Sequence, residues 1–224
     1  QQMMRADHET IAPLDDKTRK DVVKTVTVAL KEYAVLVLSD YGKGVLLDGM
    51  AKTLIDAAKK AGVAVIVDPK STDYTHYAGA SLITPNRQEL HDTSQKPVDT
   101  LEEIVAAAKA LVSEHNLGAI LATRSRDGMT LLTSEGTVTH LAAEARDVFD
   151  VSGAGDTVVA AIAAATAMGA ALAEAAALAN VAAGVVVGKV GTATADAREV
   201  IAALHHQIRS DAEAKVFSQE ALVK

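Results

Sequence analysis

No cysteine occurs anywhere in the 224 residues. Disulfides and thiolate metal sites are therefore excluded, and the composition fits a reducing compartment, which points to the cytoplasm. Aromatic residues are scarce, 3% of the chain against 49% hydrophobic residues, so the core has to be built from Ala, Val, Leu and Ile. Basic residues are outnumbered, 22 Lys and Arg against 29 Asp and Glu, for a net charge of −7. No basic run or aromatic ladder offsets that balance, so a nucleic-acid partner is not expected. No signal peptide is visible in the polar opening QQMMRADHET. The one long uncharged run, residues 157–173, is mostly alanine and is broken by Gly169. It lacks an aromatic belt and flanking basic residues, so it reads as a buried helix and not as a membrane span.

What is present has the rhythm of an alternating chain. Val22, Val23, Val26, Leu30 and Tyr33 recur at helical spacing. AVLVLSD (34–40) is a short apolar run closed by an acid and reads as a buried strand. Leu47, Met50, Ala51, Leu54, Ile55 and Ala58 form a helical stripe stopped by Gly62. Further strands are expected at VAVIVD (63–68), SLIT (81–84) and GAILAT (118–123). Thr100 and Glu103 form a capping box for a helix to about His115. GMTLLT and TVTHLA flank Ser134-Glu135-Gly136 as a hairpin, and two Ala-rich helices and a charged tail follow.

Such alternation predicts a mostly parallel sheet with helices on both faces. Ligands bind such sheets beyond the carboxyl ends of the strands. Polar residues gather there: Asp40 after the first strand, Asp68-Pro69-Lys70 after the second, Asn86 to Glu89 after the third. Each alone reads more readily as a turn or a cap than as a site, but several on the same edge point to one.

The stretch DVSGAGDT (150–157) stands immediately before the uncharged run. Gly153, Ala154 and Gly155 let a ligand approach the backbone, and the helix that follows offers unpaired N–H groups and a positive dipole end. That combination suits a phosphate. Asp156 would repel a phosphate, but it can take a proton from an attacking hydroxyl beside one. The plain alternative is an N-cap Asp after a glycine turn. Two decoys fail. A GxGxxG fingerprint starting at Gly153 would need Gly or Ala where Val158 stands. The run from Gly184 through Gly188 to Lys189 is one residue too short for a P-loop and has Val190 in place of the hydroxyl.

DVSGAGDT resembles the C-terminal signature D-T-x-G-A-G-D of the ribokinase-like (PfkB) carbohydrate kinases. TPNRQEL (84–90) resembles that family's N-x-x-E motif, and TRSRDG (123–128) its nucleotide-side loop. LVLSDYGKGVL, DPKSTDYTHYAGASLITPN and NVAAGVVVGKVGT are similar to the branch that phosphorylates D-glycero-β-D-manno-heptose 7-phosphate at O1 toward ADP-heptose, a lipopolysaccharide precursor. The resemblance implies an α/β three-layer sandwich with a mostly parallel central sheet. It implies Asp156 as catalytic base, with Gly153, Ala154 and Gly155 as the anion hole. Asn86 and Glu89 would act near Mg²⁺ through water, with Arg87 and Gln88 beside the ATP phosphates. Arg124, Asp127 and Gly128 would lie on the nucleotide side, Asn180 and Gly184 near the adenine, and Asp40 and Lys43 near the sugar phosphate. Asp150 could help hold a monovalent cation.

The G-G-x-x-x-N sugar-binding region and lid of the family are absent from these 224 residues. The expectation is a kinase core over residues 1–210, truncated at its N-terminus, and a linker over 211–224 toward an absent nucleotidyltransferase domain. No H-x-G-H motif for that second activity is present. The full-length protein is expected to be a homodimer. The competing expectations are a kinase of another sugar or nucleoside, and a nucleotide-binding module without turnover.

Overall fold

The computed structural model describes residues 4, 6, 8–143 and 150–207. The elements run α1 (Asp16–Ala29), β1 (Val35–Ser39), α2 (Met50–Ala61), β2 (Ala64–Asp68), a 3₁₀ turn (Tyr74–Tyr77) and β3 (Leu82–Ile83). They continue with α3 (Arg87–Ser94), α4 (Leu101–His115), β4 (Ala119–Thr123), a second 3₁₀ turn (Ser125–Asp127), β5 (Met129–Thr133), β6 (Val138–Leu141), α5 (Ala154–Ala167) and α6 (Leu172–Val187). Residues 197–207 are helical as well. The expected linker at 211–224 lies outside the described residues. The chain divides into two compact units, Gln1–Ala122 with Thr130–Val138 and Thr123–Met129 with Thr139–Lys224.

Among the described residues, six strands hydrogen-bond in the order β1-β2-β3-β4-β5-β6. The first four are parallel, with Val37 opposite Ile66, Ile66 opposite Leu82, and Ile83 opposite Ile120. The pleat divides their side chains. Leu38, Val65, Val67, Ile83, Ile120 and Ala122 enter one hydrophobic cluster with Met50, Ala51, Leu54, Ile55 and Ala58 of α2 and Ile104, Ala108 and Leu111 of α4. Ile66, Leu82 and Leu121 point the other way and are also buried, as expected of parallel strands that read as continuous apolar runs. The scarcity of aromatics is met as the composition requires, by aliphatic residues, with Tyr74 and Tyr77 the large exceptions in this cluster.

Helix limits follow local chemistry. α2 stops at Gly62, whose φ of 72° is left-handed and whose N–H closes the last turn. α4 begins at the Thr100–Glu103 capping box, with both reciprocal bonds present. The first helix ends at Ala29, earlier than its apolar spacing suggests: Leu30 is buried as its C-cap, and Tyr33 is exposed. α3 falls where only a polar strand end was expected. In the second unit α5 and α6 form a pair. Val158, Val159 and Ile162 of α5 are buried, and so are Ala175, Ala176, Ala179 and Val186 of α6. No described helix is long and apolar enough to cross a membrane.

Among the described residues β1 stands at the end of the sheet order, and its Val37 is 38% exposed. An open strand edge beside exposed apolar surface recruits further strands. This 224-residue chain is therefore expected to self-associate, with an average mass by light scattering that rises with concentration, and Val37→Lys should reduce that rise. A concentration-independent monomer would overturn the expectation.

Candidate active site

At the carboxyl end of β1 the ladder continues one residue further, the Asp40 N–H donating to the Asp68 carbonyl at 2.9 Å. The Asp40 carboxylate turns back into its own loop, where Oδ1 accepts from the Gly42 N–H at 2.7 Å. Its Oδ2 accepts a hydrogen bond from the Tyr77 hydroxyl. Tyr77 lies in the 3₁₀ turn after β2 and is fully buried. Its oxygen also accepts from the backbone N–H groups of Ser71, at 3.2 Å, and Lys70, at 3.4 Å. Burial first, and then the bond to Asp40, push the phenol above its ordinary range, so it stays a donor under working conditions.

Lys43, assigned from its motif to the sugar phosphate, forms an ion pair with Glu9. The stretch carrying Glu9 passes close by: a Cβ on Gly44, at φ 111°, would lie 1.9 Å from the Ala12 carbonyl oxygen. Only glycine lets the chain pass there.

Asn86 and Glu89 turn out to be the N-cap and N3 residues of α3. Asn86 Oδ1 accepts from the Glu89 N–H at 2.9 Å, and Glu89 Oε2 accepts from the Asn86 N–H at 2.9 Å. The N-x-x-E motif is thus a capping box. It leaves Glu89 Oε1 turned outward, 3.6 Å from Lys70 Nζ. Arg87 and Gln88 lie in the same turn, and Gln88 donates to Asp92 at 2.8 Å. Among the described residues no three His, Cys, Asp or Glu side chains gather in a metal-binding group. One outward carboxylate oxygen beside one amide fits a divalent ion that keeps most of its water and rests on a ligand's phosphates, as Mg²⁺ does.

In the second unit Arg124, Asp127 and Gly128 form a tight turn. The Arg124 N–H donates to the Gly128 carbonyl at 2.7 Å, and the Asp127 N–H to the Arg124 carbonyl at 3.0 Å. Gly128 has φ 86°, and an added Cβ would meet the Leu141 carbonyl oxygen at 1.9 Å. Asn180 on α6 is buried and donates to the Ala142 carbonyl at 2.6 Å. Gly184 lies inside α6, not in a loop before a helix, which agrees with the rejection of a P-loop.

The N-cap of α5 is Gly153, left-handed at φ 79°, and no side chain caps the helix. Asp156 is exposed in the first turn. The alternative of an N-cap Asp is therefore wrong, because the cap position is three residues earlier. An added Cβ at Gly155 would meet nothing within 4 Å. Asp150 Oδ1 accepts from the Ser152 N–H at 2.8 Å, which holds its carboxyl below the usual range. Its own N–H donates to the Val187 carbonyl at 3.3 Å. Nearby, Lys189 donates to the Thr194 carbonyl at 2.7 Å and pairs with Glu199.

In unit 1 the structure thus gathers Asp40 with Asp68, Lys70 and Tyr77, and Asn86 with Glu89. In unit 2 it forms the turn at 124–128, the turn at 150–156 and the Asn180 contact. Sequence reading missed Tyr77. Its signal, a tyrosine inside a polar stretch after a strand, is indistinguishable from a surface loop residue.

Residues 8–199 match the family described as pfkB family carbohydrate kinase. Bifunctional protein HldE of Paramagnetospirillum magneticum is 55% identical over 216 residues, covering 96% of this chain and 44% of the relative. Bifunctional protein HldE of Rhodospirillum rubrum is 49% identical over 220 residues, covering 98% and 44%. The chain thus spans less than half the length of these relatives. Among solved structures, Arabidopsis thaliana ribokinase complexed with ribose and ATP shares the fold with a TM-score of 0.71 at 23% identity, covering 88% of this chain and 61% of the other. Escherichia coli phosphofructokinase-2 in complex with potassium does so with a TM-score of 0.74 at 21% identity, covering 87% and 63%.

The glycine geometry gives a stability test. Gly128→Ala should lower the unfolding free energy by at least about 1–3 kcal/mol, from strain and the carbonyl clash together. Gly155→Ala, with open space above it, should change stability by less than about 1 kcal/mol. Urea titrations in which the two variants unfold alike would contradict this account.

Proposed function

The chain belongs to the pfkB family of carbohydrate kinases, and from that premise we propose that it transfers the γ-phosphoryl group of ATP to O1 of D-glycero-β-D-manno-heptose 7-phosphate. The single observation that carries the chemistry is the start of α5: a left-handed glycine cap, no capping side chain and a carboxylate in the first turn. Such a turn presents N–H groups to an anion while Asp156 faces solvent. The similarity to relatives named HldE over almost the whole chain supports the heptose branch.

In this reading the sugar O1 hydroxyl attacks the γ-phosphorus in line. Asp156 takes the hydroxyl proton, the new O–P bond forms, the bond to the β-phosphate oxygen breaks, and ADP leaves. The backbone around Gly153, Ala154 and Gly155 offsets the negative charge that develops on the phosphoryl oxygens. Asn86 and Glu89 would hold Mg²⁺ through water, with Arg87 and Gln88 beside the ATP phosphates. When bound, the ion neutralises phosphate charge. The turn at Arg124, Asp127 and Gly128 would take the nucleotide, Asn180 and Gly184 would border its base, and Asp40 and Lys43 would serve the sugar phosphate. For Lys43 that requires leaving Glu9. Asp150 would help seat a monovalent cation, and the enzyme would work as a cytoplasmic homodimer.

The test uses the full gene product, ATP, Mg²⁺ and the heptose 7-phosphate, with ³¹P NMR to locate the new phosphate ester. Asp156→Asn should lower kcat at least about 100-fold, the usual scale for losing a general base, with ATP affinity nearly unchanged. Near-normal turnover in that variant would remove Asp156 from the mechanism. Transfer to a different sugar or a nucleoside, but not to the heptose, would correct the substrate. Gly155→Val should keep the helical circular dichroism signal and lose ATP binding by calorimetry, since its side chain would fill the space over the phosphate turn. Unchanged ATP affinity would place the nucleotide elsewhere.

A further inference from the structure

We propose that Tyr77 is a positioning residue, whose phenol joins the loops after β1 and β2 so that Asp40 presents its carboxylate to the sugar acceptor. This rests on the kinase reading above. The phenol is a junction with three partners on two loops: it donates to Asp40 Oδ2 and accepts from the N–H groups of Ser71, at 3.2 Å, and Lys70, at 3.4 Å. Its ring is locked in place, fully buried and set edge-on to Tyr74 at 5.7 Å between centroids. Asp40 receives one bond on each oxygen, from Tyr77 and from the Gly42 N–H at 2.7 Å. An ionised carboxylate offers about four acceptor positions, so acceptor capacity remains on a group whose orientation is already fixed. Asp40 itself is only half-buried, so that capacity is reachable. The same phenol fixes the backbone of Lys70, whose Nζ lies 3.6 Å from Glu89 Oε1. One buried hydroxyl thereby sets two polar groups at the carboxyl edge of the sheet.

A tyrosine that merely fills the core would affect stability alone, which a comparison of substrates resolves. In the full gene product, Tyr77→Phe keeps the ring and removes the junction. The sugar phosphate KM should rise about tenfold or more, the scale of one lost bond to a charged group, while the ATP KM stays within about twofold. Asp40→Ala should raise the same KM, and the double variant should be no worse than Asp40→Ala, because Tyr77 acts through that carboxylate. Amide exchange at Gly42, Lys70 and Ser71 should quicken in Tyr77→Phe. Unchanged sugar KM, equal shifts in both KM values, or additive losses in the double variant would each overturn the proposal. Should Tyr77→Phe fail to fold, Asp40→Ala with an unchanged sugar KM would overturn it instead. An unaltered protein that phosphorylates no sugar phosphate overturns the kinase reading first, and the proposal with it.

Discussion

The parallel ladder from Val35 opposite Ala64 to Ile83 opposite Ile120 is the constraint on which the rest of the first unit depends. Parallel strands finish at one edge, so their following loops must emerge together. Asp40, Asp68 with Lys70, and Asn86 with Glu89 meet there because β1, β2 and β3 are in register, not because any of these residues attracts the others. A one-residue slip would turn Leu38, Val67 and Ile83 out of the cluster they share with α2 and α4. Burial of those side chains, at about 1.5–3 kcal/mol each, is what holds the polar edge in place.

Two of the polar residues at that edge are fixed by local chemistry, and this made them legible. Asn86 and Glu89 can be read as a cap or as a motif, and the structure shows the capping geometry itself. The two readings do not compete, since the cap consumes Oε2 of Glu89 and turns Oε1 outward. The left-handed stop at Gly62 and the capping box at Thr100 were legible for the same reason: their partners lie within a few residues. What sequence could not supply was contact across the fold. Asp40 and Tyr77 are 37 residues apart, and Lys43 and Glu9 are 34 apart. No local rule pairs them. Tyr33 fits a helical stripe, yet the chain leaves the helix before reaching it. α3, eight residues with only Leu90 buried, is too short and polar to give a periodic signal.

Close approach was equally hidden. Gly44 and Gly128 look like ordinary turn glycines, but each stands where another strand of backbone passes within 2 Å of a Cβ it does not have. Gly155 is the opposite case, with open space above it. Glycine at Gly44 and Gly128 is required by the fold. At Gly155 no neighbouring atom demands glycine, which suits the proposed approach of a ligand to this turn.

That contrast bears on the start of α5. A helix can satisfy its first N–H groups with a Ser, Thr, Asp or Asn cap, typically worth about 1 kcal/mol, and α3 and α4 both do so. α5 forgoes the cap: Gly153 contributes only its carbonyl, which accepts from the Thr157 N–H at 2.9 Å and the Thr157 hydroxyl at 2.8 Å. A carboxylate in the first turn is favourable to the helix dipole by itself, so Asp156 helps the fold while the cap position stays bare. α2 also opens on a left-handed glycine without a capping side chain, Gly49 at φ 75°, but it carries no acid in its first turn. What sets α5 apart is the pairing of that bare glycine cap with an acid in the first turn, and the proposed phosphate turn and proton acceptor rest on this combination.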